Sequence, residues 1–190
     1  MVPPNVRKRA VYVSFAEMRT DYFRNMQKFE KYDSLWVTER LLYPLKPQTS
    51  YYGGPLPEPY KRVFDPLGTL TFVSAHTSRI ALGTSVLDMP YYNPVILARQ
   101  LTTLDILSGG RLRVGFGRGW SKDEHDAVGT SMKHRGDRAD EFLKVLRTIW
   151  TTDPAEFHGK YFQLPQSIIQ PKPLQKPYPP IIWVGLLPVC

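Results

Sequence analysis

A chain of 190 residues, 42% of them hydrophobic, is long enough for one domain with its own core. The only cysteine is Cys190, so an internal disulfide is excluded, and no run of about 18 apolar residues could span a membrane. We therefore expect a cytoplasmic protein. The formal charge of +8 comes from basic residues interleaved with acids, which favours a solvated surface over a nucleic-acid-binding stripe.

Strands and helices are predicted to alternate along the first part of the chain. A weak alternation of apolar residues predicts a strand at 11–15, and apolar residues at helical spacing predict a helix at 21–32. A short buried strand follows at 34–37. A loop rich in proline, glycine and tyrosine then occupies 43–60. Loops of this length inside a compact domain are usually functional or disordered.

The middle of the chain holds the clearest helix signals. Asp65 and the proline after it open a helix predicted to end at residue 76, and a strand is predicted at 80–87. Asn93 is a good N-cap for the next helix, whose leucines recur at helical spacing. That helix is predicted to stop at Gly109 and the glycine that follows it.

A Gly/Arg-rich segment follows the next buried strand, predicted at 114–116. It reads Gly117-Arg118-Gly119-Trp120. Glycine permits close approach of a ligand to the backbone, and a guanidinium binds phosphate through two hydrogen bonds. The end of this strand is therefore a candidate site for a phosphate or a similar oxyanion.

The last part of the chain contains one strong helix and a proline-dense segment. Apolar residues at helical spacing predict an amphipathic helix at 136–151. Residues 152–180 are predicted to be irregular, with a hairpin around His158, and a final strand is predicted at 181–184. The alternation of strands and helices predicts a parallel sheet with helices packed outside it.

Several motifs occur in a characteristic order. They are Ala98-Arg99, Thr103-Leu104-Asp105, Leu107-Ser108-Gly109-Gly110-Arg111 and Gly115-Phe116-Gly117-Arg118-Gly119, with Asp33-Ser34-Leu35-Trp36-Val37-Thr38-Glu39 before them and Pro179-Pro180-Ile181-Ile182-Trp183-Val184-Gly185 after them. Over about residues 11–185, the sequence resembles the luciferase-like superfamily of flavin- and F420-dependent oxidoreductases. Residues 39–45 look most like its F420-associated branch.

The resemblance implies an α/β fold of the TIM (β/α)8 barrel type, which usually needs about 250 residues. This chain supplies about five strands. We therefore expect residues 1–190 to be a single luciferase-like barrel domain that is truncated on its C-terminal side. Five strands of a barrel leave two open edges, and open edges predict self-association into a homo-oligomer.

The same resemblance implies an enzyme with F420 or FMN as its cofactor. With F420 it would transfer a hydride to or from a small organic substrate, and with reduced FMN it would act as a monooxygenase. Two alternatives belong to other classes. The chain could be a non-catalytic half-barrel that binds cofactor weakly or needs a partner, or a basic module that binds nucleic acid, which the interleaved acids disfavour.

Two arginines are candidate phosphate ligands. By resemblance, Arg118 matches the arginine that contacts the cofactor phosphate in luciferase-type members. The alternative is a surface arginine in an ion pair with Asp123 or Glu124. Arg135 could be a second ligand at the start of the next helix, where the helix dipole also favours an anion. Its alternative is an ordinary surface arginine in the first turn.

Three neighbours of Arg118 complete this candidate site. Gly117 and Gly119 offer bare backbone to the cofactor, and Trp120 could line the pocket of its ring. The alternative for Trp120 is simple packing at a strand end.

The remaining candidates follow the second and third strands. By resemblance, Gly83, Ser85 and Val86 match a strand end where many members have a non-prolyl cis peptide that supports the cofactor ring. Here it would be Ser85-Val86, and the alternative is a plain strand with a small-residue turn. Glu39 and Arg40 match a catalytic position where many members have an acid followed by histidine. Because arginine stays protonated and is a poor base, either Glu39 does the chemistry or Arg40 binds an anion; the alternative is a salt bridge. The four histidines are dispersed, so we predict no metal site.

Overall fold

A parallel β-sheet forms the centre of the molecule. The computed structural model describes residues 9–13 and 26–183. The strands are β1 (Ala10–Val13), β2 (Ser34–Val37), β3 (Ala81–Thr84), β4 (Leu87–Asp88), β5 (Leu112–Gly117), β6 (Ala155–His158), β7 (Gln163–Ser167) and β8 (Ile181–Trp183). The helices are α1 (Pro66–His76), α2 (Pro94–Leu107), α3 (Lys122–Ala127) and α4 (Arg135–Thr151), with 3-10 turns at Met26–Lys31, Glu58–Lys61 and Met89–Tyr91.

The strand order of the sheet is β1-β2-β3-β5, and both β4 and β8 also pair with β5. Every pair in this sheet is parallel. Strands β6 and β7 form a separate antiparallel hairpin. Because all of these strands run in the same direction, the carboxyl ends of β2, β4 and β5 lie at the same edge of the sheet. The predicted α/β arrangement and the predicted hairpin are confirmed.

The caps that the sequence predicted hold the two central helices. The Asp65 carboxylate accepts a hydrogen bond from the Gly68 N–H at 2.6 Å, and the Asn93 side chain accepts one from the Val95 N–H at 2.9 Å. Helix α2 packs against both α1 and α4. The core between the helices and the sheet is built of aliphatic and aromatic side chains, including Leu35, Leu70, Leu82, Leu97, Leu101, Leu112, Phe116 and Phe142.

Three predictions of local structure were wrong or incomplete. The strand predicted at 80–87 is two short strands, β3 and β4, with a break at Ser85-Val86. The end of the helix predicted at 21–32 is a 3-10 turn, and residues 21–25 lie outside the described residues. Residues 14–15 and 184, at the ends of two predicted strands, also lie outside them. The charged segment after Trp120 folds into α3, which the sequence did not predict because the helix is only six residues long.

The long loop between β2 and α1 is irregular, as predicted, and it is tied to α3. The Asp123 carboxylate accepts hydrogen bonds from the Gln48 N–H at 3.0 and 3.2 Å, and Thr49 Oγ1 accepts one from the Lys122 N–H at 3.1 Å. These bonds place the middle of the loop over the carboxyl ends of the strands. Within the described residues no helix is long and apolar enough to cross a membrane.

Candidate functional site

A pocket of about 130 Å³ lies at the carboxyl ends of β4 and β5. Six of the predicted site residues line it together with two residues that were not predicted. The lining residues are Tyr52, Val86, Asp88, Gly117, Arg118, Gly119, Trp120 and Arg135. Small-molecule sites usually enclose about 300–1,000 Å³, so this pocket matches one end of a cofactor-sized ligand rather than all of it.

Arg118 is exposed at the pocket, and its guanidinium has no ion-pair partner among the described residues. The acids that could have neutralised it are engaged elsewhere. Glu124 forms an ion pair with Arg40, and Asp123 accepts hydrogen bonds from the Gln48 backbone. A guanidinium free of protein partners at a pocket wall is available to an oxyanion.

Arg135 begins α4 and lies on the pocket beside Arg118. Its Nη1 donates a hydrogen bond to the carbonyl oxygen of Gly119 at 2.7 Å. This bond ties the start of α4 to the Gly/Arg-rich segment. It leaves the other donors of the Arg135 guanidinium for a ligand.

The glycines of this segment are required by close packing. A Cβ atom on Gly117 would lie 2.3 Å from Asp88 Oδ1 and 2.7 Å from Val86 Cγ2. Gly119 has a φ of +68°, and a Cβ atom there would lie 2.8 Å from His125 Nε2. Both positions therefore exclude a side chain because of packing within the protein, whereas their predicted contact with a cofactor stays a prediction.

The other predicted cofactor residues lie beneath the pocket lining. The Ser85-Val86 peptide is cis, as predicted, and of these two residues only Val86 reaches the pocket. The Ser85 N–H donates to the Val37 carbonyl at 2.6 Å. Gly83 supports a close aromatic contact, because a Cβ atom there would lie 2.1 Å from Trp36 Cε3.

Arg40 is buried below the pocket in an ion pair with Glu124. The distance from Arg40 Nη1 to Glu124 Oε2 is 3.1 Å, and the two side chains are only 4% and 2% exposed. The guanidinium also lies under the Trp120 ring, 4.7 Å from its centroid. The salt bridge that the sequence left as an alternative is therefore present, and Arg40 supports the Trp120 wall of the pocket.

Glu124 is a residue that sequence reasoning did not assign to this network. Its carboxylate accepts hydrogen bonds from the Leu41 N–H at 2.8 Å and from the Tyr91 hydroxyl at 2.9 Å, in addition to the Arg40 ion pair. It thus joins the chain after β2, the turn after β4 and helix α3. No local pattern could have revealed this, since Leu41 and Glu124 are 83 positions apart.

Glu39 is buried, and each of its carboxyl oxygens accepts one hydrogen bond from the protein. Its Oε2 accepts a hydrogen bond from the Asp88 N–H at 2.7 Å, and its Oε1 accepts one from the Tyr92 hydroxyl. Burial raises the pKa of Glu39 to about 8, against the opposing effect of these hydrogen bonds. The carboxyl group therefore holds a proton at neutral pH, and it lies behind the pocket rather than on its lining.

Asp88 and Tyr52 are pocket residues that were not among the predicted site residues. Asp88 is the last residue of β4, and its position after a predicted strand was a usable signal. Burial raises the pKa of Asp88 to about 6, so it is mostly ionised at neutral pH. Tyr52 comes from the long loop, at the tip of a turn closed by two hydrogen bonds between Tyr51 and Gly54. Only the tertiary fold brings it to the pocket.

No group of three or more candidate metal ligands occurs in the described part of the chain. The residues that line the pocket suit an anion instead. Two arginines and a glycine-rich backbone segment converge on a pocket whose size suits a phosphate and the carbon chain next to it. This arrangement fits the phosphate end of the cofactors that the sequence resemblance implies.

Comparisons with known proteins point to one family of enzymes. The family model described as luciferase-like monooxygenase matches residues 21–186. The F420-dependent glucose-6-phosphate dehydrogenase of Amycolatopsis mediterranei is 32% identical over 157 residues, which cover 80% of this chain and 43% of that protein. The FMNH2-dependent dimethylsulfone monooxygenase of Pseudomonas putida is 37% identical over 114 residues, covering 58% of this chain and 31% of that protein.

A solved structure gives the same result for the fold. The monooxygenase RslO1 from Streptomyces bottropensis superposes with a TM-score of 0.74 at 26% identity, covering 93% of this chain and 53% of that one. The chain spans about half the length of the relatives it matches. The predicted fold, part of a luciferase-like (β/α)8 barrel, is confirmed. The chain belongs to the luciferase-like monooxygenase family.

Proposed function

We propose that this chain forms the cofactor-phosphate half of a luciferase-like oxidoreductase that uses F420 or FMN and acts on a small organic substrate. One observation carries the proposal: Arg118, without an ion-pair partner in the described residues, faces a phosphate-sized pocket at the carboxyl ends of the strands, beside Arg135. The relatives include both an F420-dependent dehydrogenase and an FMNH2-dependent monooxygenase. When bound, F420 would accept a hydride and its reduced form would donate one, whereas reduced FMN would activate dioxygen.

The residues of the chain divide the work of binding. Arg118 and Arg135 hold the phosphate, and the bare backbone at Gly117 lets the ligand approach closely. Val86 and Trp120 form the walls on which the rest of the cofactor rests. Each of these assignments is a proposal that binding measurements on variants can test.

Glu39 and Arg40 stay the proposed catalytic residues, and their contacts suggest how they act. Arg40 fixes Trp120 from below, and Glu39 fixes the backbone of Asp88 at the pocket wall. Because Glu39 holds a proton at neutral pH, it is an acid rather than a base in this state. The chain spans about half the length of its relatives, so the proposal names a small organic substrate and no particular compound.

The test is a fluorescence titration of the chain with FMN, riboflavin and F420. We expect Arg118→Ala to weaken FMN binding by about 1.5–3 kcal/mol, as for a charged hydrogen bond, and to leave riboflavin unaffected because it has no phosphate. Arg99→Ala is the matched control, because this substitution removes the same charge from an exposed position on α2 that does not line the pocket. Equal effects of the two variants would show that Arg118 acts only through net charge, and no change in Arg118→Ala would remove it from the site.

A further inference from the structure

Asp88 places a negative charge on the wall of a pocket proposed to bind an anion. It lies among the lining residues with Arg118 and Arg135, at the end of β4. A carboxylate beside two guanidinium groups would ordinarily form an ion pair with one of them. Among the described residues, neither arginine lies within salt-bridge distance of it.

The orientation of the Asp88 carboxylate is fixed by the protein. Oδ1 accepts a hydrogen bond from the Gly119 N–H at 2.8 Å, and the Asp88 backbone N–H donates to Glu39 at 2.7 Å. Gly117 packs against the same Oδ1, with no room for a side chain. One oxygen is thus committed to positioning the Gly/Arg-rich segment.

The second oxygen, Oδ2, accepts no hydrogen bond from any described residue. The pocket therefore presents an unused acceptor on the same lining as the unpaired guanidinium of Arg118. A bare phosphate would meet the arginines and also be repelled by Asp88. A ligand that carries a hydroxyl next to its phosphate would satisfy both groups, because the hydroxyl donates to Oδ2. An ammonium group is disfavoured, since the two arginines leave the pocket net positive.

We propose that Asp88 is a specificity residue that makes this pocket select a hydroxylated chain ending in phosphate over phosphate alone. The inference rests on the proposed function, because it concerns the same anion site. The polyol phosphate chain of FMN and a free sugar or sugar-alcohol phosphate share this chemistry. With FMN, Asp88 would accept a hydrogen bond from a hydroxyl of the bound cofactor. With a free sugar phosphate, it would accept one from a hydroxyl of the substrate.

The experiment measures dissociation constants for ribitol 5-phosphate, inorganic phosphate, FMN and riboflavin by calorimetry at pH 8. Asp88→Asn is the informative variant, since its amide oxygen can still accept from the Gly119 N–H while its NH2 group replaces the free acceptor. In the unmodified chain we expect ribitol 5-phosphate to bind about tenfold tighter than inorganic phosphate. In Asp88→Asn that ratio should fall at least fivefold, with inorganic phosphate binding more tightly as a repulsive charge is lost.

The ratio separates selection from a merely structural role. If Asp88 only positions the Gly119 segment, Asp88→Asn will leave the ratio unchanged or weaken both phosphates equally, and the proposal is overturned. A parallel fall in FMN affinity, with riboflavin unmoved, identifies the cofactor chain as the source of the hydroxyl. A change confined to ribitol 5-phosphate identifies a sugar-phosphate substrate instead. If the unmodified chain binds neither FMN nor F420 in the fluorescence titration, the cofactor proposal is refuted. The ratio of the affinities for ribitol 5-phosphate and inorganic phosphate still tests the role of Asp88.

A second measurement avoids any variant that fails to fold. Burial raises the pKa of Asp88 to about 6. The hydrogen bond from Gly119 lowers this pKa, as do Arg40 and Arg135, whereas the nearby Glu124 raises it. At pH 5 the free acceptor is protonated, while both phosphate probes are monoanions. The selectivity of the unmodified chain should therefore be several-fold smaller at pH 5 than at pH 8. An equal ratio at the two pH values would contradict the role of the ionised carboxylate.

Discussion

Replacing Arg40 with methionine should destabilise the chain strongly, although methionine matches the length of the aliphatic part of arginine. The Arg40–Glu124 ion pair has a separation of 3.1 Å, with side chains only 4% and 2% exposed. Removing the guanidinium leaves the Glu124 carboxylate buried and compensated only by the hydrogen bonds from Leu41 and Tyr91. Breaking a buried pair in this way typically costs about 3–5 kcal/mol. We expect Arg40→Met to fall in that range in urea unfolding monitored by circular dichroism.

Lys122→Met provides the matched control. The Lys122–Asp126 pair is shorter, at 2.6 Å, but both side chains are about half exposed, at 49% and 48%. Because water screens exposed pairs, this substitution should change the urea midpoint little. The double variant Arg40→Met/Glu124→Gln should recover part of the stability, since it removes the uncompensated charge. A cost for Arg40→Met no greater than that of Lys122→Met, or additive effects in the double variant, would refute the reasoning.

Two further predictions concern glycine packing and pH. Gly83→Ala should lower the free energy of unfolding, measured by thermal unfolding, by about 1–3 kcal/mol or more, since its Cβ atom would lie 2.1 Å from Trp36 Cε3. Gly136→Ala, whose Cβ atom would have its nearest neighbour at 3.9 Å, should instead stabilise α4 by about 0.5–1 kcal/mol. Equal effects of the two variants would contradict the packing. The pKa of Glu39 is about 4.5 in the unfolded chain and about 8 in the fold, so between these pH values the native state binds more protons than the unfolded chain. The free energy of unfolding should therefore fall as the pH rises from 4.5 to 8, by at most about 1.4 kcal/mol per pH unit. Glu39→Gln should flatten this part of the pH profile in urea unfolding, and parallel profiles for the two proteins would count against the raised pKa.

These variants also distinguish the layers of the site. Arg118 touches the pocket directly, whereas Arg40 acts from below through Trp120. A loss of stability without a change in the selectivity between phosphates is therefore expected for Arg40→Met in the fraction that remains folded. The opposite pattern is expected for Asp88→Asn, which retains its contact with Gly119. Measuring stability and binding on each variant separates support from recognition.

Much of the fold was predictable because its signals are local. The caps at Asp65 and Asn93 act within three residues, and helical spacing in α2 and α4 depends only on near neighbours. The break in the strand predicted at 80–87 was the main local failure. The segment reads IALGTSVL, with apolar residues on both sides of Thr84-Ser85, so the apolar pattern alone cannot show where one strand ends and a second one begins.

The sequence by itself determined the family, the alternation of strands and helices, and the Gly/Arg-rich segment with Arg118, because these depend on short motifs and on spacing along the chain. Only the tertiary structure decided how the charges are distributed around it. Whether Arg118 was free depended on Glu124 being taken by Arg40, and that pairing joins segments more than 80 positions apart. Tyr52 and Asp88 reach the pocket because parallel strands bring their carboxyl ends, and the loops beyond them, to the same edge of the sheet.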